Sequence, residues 1–350
     1  MSDRSFLVEV TGDTYGEYRA KVISSPSGVM YEGASVADPL QITALRSKLA
    51  ANPSEEATRA LGTLLFETLF TGDARDMLSM ALYSAPADSV LRLQLAIEPN
   101  ELSALPWELL FDPVTEQFLA LSPRTTLVRY LPMPQPARPL AVAEGPMRIL
   151  ALFPNPHDAP PIDIVRERAL MEEALGPLIH SGFVEVTVLE HATVWAMVEA
   201  LREQQVHLLY YQGHVGFNAD TRASYFLLED RAGEAFRKGM YELSYSLRTT
   251  RVPLAVINSC GMAAGPLAYE LVRHGIPGAV ATQEPLRDKE TIAFLRDFSA
   301  ALAVGRPLDA AVSYGRRAMA VMCGLNARWA SPMLVVRQRD AALFSLEERR

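Results

Sequence analysis

The feature that most constrains the fold is a pair of short apolar runs, each followed by a residue that can do chemistry. The run 206–211 leads to His214, and the run 252–257 leads to Cys260. Both runs are too short for helices and are rich in β-branched and apolar residues, which is typical of buried parallel strands. Sites in open α/β sheets form beyond the carboxyl ends of the strands. We therefore expect His214 and Cys260 to lie at the same edge of one sheet.

Strand-like and helix-like segments alternate from residue 147 onward. Strands joined by helical crossovers predict a doubly wound, mostly parallel sheet with helices on both faces. The six strand candidates are 147–153, 184–189, 206–211, 252–257, 278–281 and 333–336.

The first part of the chain has a different pattern. Short alternating segments between residues 6 and 31 are typical of a small antiparallel sheet. Helix-like segments follow at 40–50, at 53–69 after a start signal at Asn52-Pro53, and at 73–83. Five prolines between residues 131 and 146 indicate a semi-rigid linker. We predict a smaller α+β region over 1–131, a linker over 132–146 and an α/β domain over 147–340.

Composition and charge exclude several functional classes. The net charge is -8, and no basic stripe is present for binding nucleic acid. No apolar run approaches the ~20 residues that span a bilayer, and the amino terminus lacks the features of a signal peptide. The two cysteines imply no disulfide framework. We expect a cytoplasmic protein without nucleic-acid or membrane partners.

A thiol and an imidazole at one sheet edge form the arrangement that activates a cysteine nucleophile. The imidazole takes the thiol proton or stabilises the thiolate, and the positive end of a helix after Cys260 favours that thiolate. A lone cysteine at the end of a buried strand is more often a core residue. Here three features together favour the catalytic interpretation: the glycine-flanked His214, the small residues around Cys260 and the matching strand ends. Motifs for serine hydrolases, phosphate loops, dinucleotides and zinc are absent, so we predict no cofactor and no metal.

The blocks around His214 and Cys260 resemble those of the CHAT family, caspase-like cysteine peptidases of the same clan as caspases and separases. Cys260 follows His214 by 46 residues. The segments 275–283 and 292–318 are also similar to CHAT sequences, and 105–110 resembles the family's "LPWE" block. The resemblance implies a caspase-like αβα sandwich with a six-stranded sheet. It also implies an endopeptidase with Cys260 as nucleophile and His214 as general base and acid.

The same resemblance implies backbone donors for the oxyanion of the reaction. They are the N–H groups of Cys260 and of the residue after the histidine, which is Val215. The family usually has glycine at that position, and a valine at positive φ is strained. Either the loop uses Gly216 instead, or the oxyanion hole is imperfect in the resting state.

Two further residues are predicted to bind substrate. Asn258 stands two positions before the cysteine, where several relatives that cleave after basic residues have aspartate. Glu284 follows the strand 278–281 at its carboxyl end, where a carboxylate favours a basic residue before the scissile bond. The alternative for Glu284 is an ordinary solvated carboxylate in a loop.

The sequence thus predicts a bacterial-type cysteine endopeptidase that cleaves a partner protein. The resemblance implies regulated cleavage in a stress or antiviral defence pathway, with a separate protein as candidate activator, and the insertion 218–246 is expected to gate the site. One alternative is a catalytically silent CHAT-like scaffold that binds a partner through the old cleft, with Val215 as the sign of decay. Another is a hydrolase or transferase that uses the same thiol on a non-peptide acyl group.

Overall fold

The computed structural model describes most of the chain. The described residues are 4–12, 18–28, 31–35, 44, 47, 54–84, 86, 88–98, 100–134, 145–218, 220, 223–239, 243, 251–259 and 264–339. Cys260 lies outside them, as do most of the predicted helix 40–50 and most of the predicted linker. The domain boundaries therefore stay predictions.

From residue 147 onward, strands and helices follow one another as the sequence predicts, with the insertion forming strands of its own. The strands are β1 Ser5–Gly12, β2 Tyr18–Ser24, β3 Tyr31–Ser35, β4 Leu91–Ile97, β5 Phe111–Asp112, β6 Gln117–Phe118, β7 Thr125–Tyr130, β8 Met147–Phe153, β9 Val184–Glu190, β10 Leu208–Gln212, β11 Val215–Asn218, β12 Ala223–Glu229, β13 Ala235–Gly239, β14 Leu254–Asn258, β15 Gly278–Thr282 and β16 Pro332–Val336. The longer helices are α1 Glu55–Leu69, α2 Asp73–Tyr83, α3 Ile164–His180, α4 Val194–Glu203, α5 Ala264–Arg273, α6 Asp288–Ala303 and α7 Leu308–Cys323. Short helical turns lie at Asn100–Ser103, Trp107–Leu109 and Ala327–Ala330.

One large sheet forms the middle of the structure, in the order β3-β2-β1-β4-β7-β16-β15-β14-β10-β8-β9. The six predicted strands are adjacent at one end of it, which confirms the predicted mostly parallel α/β sandwich. Among the described residues the sheet has eleven strands, and the six predicted ones are joined there by five from the amino-terminal region. Strand β7 pairs in parallel with β16, with Arg129 opposite Val335, so the amino-terminal strands extend the same sheet.

The central strands are short, and both of their faces are buried. Strands β10, β14, β15 and β16 are each five residues long, and all of their residues are buried. In β10, Leu208 and Tyr210 join a core on one face that includes residues of α1, α3, α6 and α7. Leu209 and Tyr211 join a second core on the other face, with residues of α4 and α5. These two cores fix the register of the strands that carry the candidate site.

The insertion 218–246 contributes most of a second, smaller sheet. Strands β11, β12 and β13 pair antiparallel in that order, with Val215 opposite Phe226 and Leu228 opposite Phe236. Strand β11 begins directly after His214. This small sheet therefore continues the chain out of the candidate site.

A buried ion pair lies between the amino-terminal strands and the end of β15. Glu108 accepts two hydrogen bonds from Arg129, at 2.9 and 2.7 Å, and one from the side chain of Gln283, at 2.9 Å. Glu108, Arg129 and Arg316 have fully buried side chains. Burial alone would raise the pKa of Glu108, but Arg129, aided by Arg316, holds that pKa below its ordinary value. The carboxylate is therefore ionised at neutral pH.

We predict that Glu108→Gln lowers the free energy of unfolding by about 3–5 kcal/mol at neutral pH, because Arg129 is left as a buried charge without its partner. Urea denaturation measures this loss. Since folding lowers the pKa of Glu108, its contribution is complete above the unfolded pKa, near 4.5, and is lost as the pH falls below it. The difference between wild type and variant should shrink in acid. A difference that stays constant with pH would contradict this assignment.

Candidate active site

The ends of β10 and β14 place the two candidate catalytic segments side by side. The strands are parallel neighbours, and their last paired residues are Gln212 and Asn258. The N–H of Gly213 donates to the carbonyl of Asn258, at 3.4 Å. His214 and Cys260 each follow this last pair by two residues. The register therefore brings the two segments to one sheet edge, although Cys260 itself is not among the described residues.

The imidazole of His214 is hydrogen-bonded to the main chain. Its Nε2 lies 2.7 Å from the carbonyl oxygen of Pro160. A carbonyl oxygen can only accept, so Nε2 carries the hydrogen, and in the neutral ring the lone pair is on Nδ1. Pro160 belongs to the loop after β8. Strands β8 and β10 adjoin where the order of the sheet reverses, which is where sites form in such sheets.

The backbone of His214 is fixed as well as its ring. Its carbonyl accepts from the hydroxyl of Tyr211, at 2.6 Å, and from the N–H of Leu227, at 3.1 Å. The Tyr211 hydroxyl is also 2.9 Å from the carbonyl of Leu227. Burial raises the pKa of Tyr211, so the phenol stays neutral and its single proton is shared between these two carbonyls.

Gly213 is required by the close approach of Tyr211. A Cβ at this position would lie 2.5 Å from the Tyr211 hydroxyl and 3.0 Å from Cγ of Pro154. Tyr211 is fully buried, so its ring has no room to move away. The glycine before the histidine is therefore explained by packing and not by a special φ angle.

Val215 adopts ordinary extended backbone at the start of β11. Positive φ occurs at three non-glycine residues in the described part of the chain, and Val215 is not one of them. The strain considered for this valine therefore does not arise. Because Leu227 N–H bonds to the His214 carbonyl, the antiparallel ladder directs the N–H of Gly216 towards β12. The N–H of Val215 is directed away from β12.

The two residues predicted to bind substrate differ in exposure. Asn258 is only 9% exposed, and its amide Nδ2 lies 3.3 Å from the hydroxyl of Tyr210. Glu284 has an exposed side chain. Its backbone is held by Ser331, whose hydroxyl accepts from the Glu284 N–H at 2.9 Å and donates to its carbonyl at 2.7 Å.

The loop after β8 is the part of the site that the sequence interpretation missed. It runs over 154–163 and ends at Asp163, which caps α3 by accepting the N–H of Arg166 at 3.0 Å. Four prolines in ten residues are visible in the sequence, and the loop follows a predicted strand at its carboxyl end. The rule that sites form beyond the carboxyl ends of strands could therefore have identified this loop. It could not have identified the carbonyl oxygen of Pro160.

The described residues contain neither a candidate metal site nor a candidate membrane span. No group of three or more His, Cys, Asp or Glu side chains in them could hold a metal ion. In the same part of the chain, no helix has the length and apolar character needed to cross a membrane.

Comparison with known proteins identifies the family. The model of the CHAT domain matches residues 56–337, which is most of the chain. The chain belongs to the CHAT-domain family. This CHAT-domain protein has no match among curated proteins.

Two solved structures similar to this CHAT-domain protein, a separase and a gingipain, are cysteine peptidases of the caspase-like clan. The separase of the Saccharomyces cerevisiae separase–securin complex aligns at 10% identity and a TM-score of 0.56, covering 95% of this chain. The aligned region is 30% of the separase chain. The Arg-specific cysteine proteinase gingipain R aligns at 10% identity and a TM-score of 0.48, covering 79% of this chain and 68% of its own. The separase alignment confirms the predicted caspase-like fold.

We predict that Gly213→Ala lowers the free energy of unfolding by about 1–3 kcal/mol, because the added methyl group displaces the buried Tyr211 hydroxyl from its two carbonyls. Gly239→Ala is the matched control, since a Cβ there has nothing within 4 Å and the position has no positive φ. Chemical denaturation of both variants measures the difference. Equal stability of the two variants would show that Tyr211 can shift without loss.

Proposed function

We propose that this CHAT-domain protein is a cysteine endopeptidase with Cys260 as nucleophile and His214 as general base and acid. The observation that carries the proposal is the register of β10 and β14, whose last pair precedes both residues by two positions. Two peptide units span at most about 7 Å, so connectivity keeps the Cα of Cys260 within that distance of the Cα of Asn258. This limit supports a site in which Cys260 and His214 act together beyond the ends of β10 and β14.

The tautomer of His214 suits the role of base. With Nε2–H bonded to the carbonyl of Pro160, Nδ1 is the nitrogen that can take the thiol proton. The Pro160 oxygen also stabilises the imidazolium that forms, because it accepts from a ring that has become positive. The thiolate of Cys260 attacks the scissile carbonyl carbon, His214 returns the proton to the leaving amine, and water then hydrolyses the acyl-enzyme.

The backbone supports Val215 as one donor to the oxyanion. Its N–H is directed away from β12, whereas the N–H of Gly216 belongs to the ladder with Tyr225. The N–H of Cys260 is the second donor of the proposal. A valine serves here as well as a glycine, because extended backbone suits any residue.

Glu284 and Asn258 have different roles in the proposal. The exposed carboxylate of Glu284 can pair with a basic side chain of a substrate, and Ser331 fixes the main chain that carries it. The buried amide of Asn258 supports the strand ends through Tyr210. A preference for Arg or Lys before the scissile bond therefore depends on Glu284.

The biological setting of the proposal is regulated cleavage of a partner protein in the cytoplasm, within bacterial stress or antiviral defence. The separase structure that this fold resembles was solved as a complex with securin. By analogy, we propose that a separate protein controls this chain. The small sheet β11–β13 is the element for such control to act on, because it adjoins His214.

The first test measures the reactivity of Cys260. We predict that iodoacetamide alkylates Cys260 at least about tenfold faster than Cys323 at pH 7, because an imidazole-paired thiol has a lowered pKa. Cys323 is the internal reference, since burial foremost, and Glu290, raise its pKa. His214→Ala should reduce the rate at Cys260 to that of an ordinary thiol, and His180→Ala should not. Peptide mapping by mass spectrometry resolves the two sites.

Slow labelling of Cys260 in both wild type and His214→Ala would contradict the peptidase and favour the silent scaffold. Fast labelling that depends on His214, with cleavage of thioesters but of no member of a peptide library, would favour the transferase or non-peptide hydrolase. Cleavage of peptides that is lost in Cys260→Ala supports the endopeptidase.

A further inference from the structure

A buried carboxylate that the proposed mechanism does not use lies close to the candidate site. Glu229 ends β12 and is 4% exposed. Its Oε1 accepts the N–H of Asn155, at 2.6 Å, and lies 3.1 Å from Nδ1 of His191. A carboxylate that leaves water loses much solvation free energy unless hydrogen bonds replace it. The shorter of these two contacts is the bond from the N–H of Asn155, which lies in the loop after β8.

Asn155 connects this contact with Glu229 to the rest of the loop. Its side-chain Oδ1 accepts the N–H of Ile162, at 2.8 Å. Asn155 and Ile162 lie on either side of Pro160, so this bond closes the loop around the carbonyl that His214 contacts. Pro160 and Pro161 have no N–H of their own, and a proline at 161 restricts residue 160 to extended backbone. The acceptors on Glu229 and Asn155 therefore bracket Pro160. They act beside a main-chain bond from the N–H of His157 to the carbonyl of Gly233, at 3.1 Å, which also ties the loop to the β12–β13 hairpin.

Strand β12 holds both partners of the contact. Leu227 of this strand bonds to the backbone carbonyl of His214, and Glu229, two residues further on, bonds to the loop that presents Pro160. Strand β12 therefore contacts both the segment that carries His214 and the loop that presents the Pro160 oxygen.

We infer that Glu229 and Asn155 are positioning residues for His214: they fix the Pro160 carbonyl as the acceptor of Nε2–H and so leave Nδ1 as the free nitrogen. The inference rests on the proposed function for its catalytic meaning. Its structural content is the tautomer of His214, which is measurable whether or not the chain cleaves peptides.

The experiment reads the tautomer directly. Long-range ¹H–¹⁵N correlation spectra of the full chain, recorded at mildly alkaline pH, distinguish Nε2–H from Nδ1–H. We expect Nε2–H in wild type and a mixture of both forms in Glu229→Ala and in Asn155→Ala. Glu229→Gln and Asn155→Asp each keep an oxygen at the same place and should keep the wild-type tautomer. His191→Ala removes the other contact of Glu229 and should also keep it.

Alkylation of Cys260 gives the second measurement. We expect the two alanine variants to lower the His214-dependent rate about tenfold, a part of the 10²–10⁴ that a positioned base contributes. The conservative variants should restore it. A purely structural role would lower stability in the alanine variants and leave the tautomer and the rate of the folded protein unchanged.

The outcomes separate this inference from the proposed function. A wild-type tautomer in both folded alanine variants would overturn the positioning role. If Glu229→Ala does not fold, Asn155→Ala decides the question, because it keeps the buried carboxylate and its bond to the main chain. A changed tautomer together with Cys260 labelling that never depends on His214 would support the positioning role and overturn the peptidase.

Discussion

The parallel pairing of β10 with β14 is the interaction on which the candidate site depends. Both strands are buried on both faces, so their side chains lock the register, and a slip of one residue would exchange the two cores. The ladder ends at Gln212 and Asn258, and the chain leaves both strands at the same level. The other contacts of the candidate site act on two segments that this main-chain ladder has already aligned.

A second constraint connects the amino-terminal strands to the site. Glu108, in the segment that resembles the "LPWE" block, is paired with Arg129 and also accepts from Gln283, the residue before Glu284. Trp107 beside it is buried, with its indole N–H on the carbonyl of Leu102 at 2.7 Å, which makes it an architectural residue. Because β7 continues the sheet beside β16, the charged cluster sits inside one continuous structure. The amino-terminal region therefore supports the loop after β15 directly.

The sequence predicts well those parts of the fold in which burial requires apolar residues. Strands β10 and β14 appear as continuous apolar runs because both faces are covered. The eleven-stranded sheet was not predictable in the same way, since periodicity identifies strands but not the partner of β7. The role of the Pro160 carbonyl as an acceptor was not predicted for a related reason. Every residue has a backbone carbonyl, so the sequence does not mark this one. The concern about Val215 came from treating the residue after the histidine as a loop position, whereas it begins a strand.

The hydrogen bond between His214 and Pro160 has a consequence for how such a site varies in evolution. A side-chain acceptor disappears with one substitution, but every residue at position 160 would still carry a carbonyl oxygen. Selection on this contact therefore acts on the path of the loop and leaves the identity of the residue free to drift. Two relatives could share the same oxygen at the same place while their sequences show no common residue there.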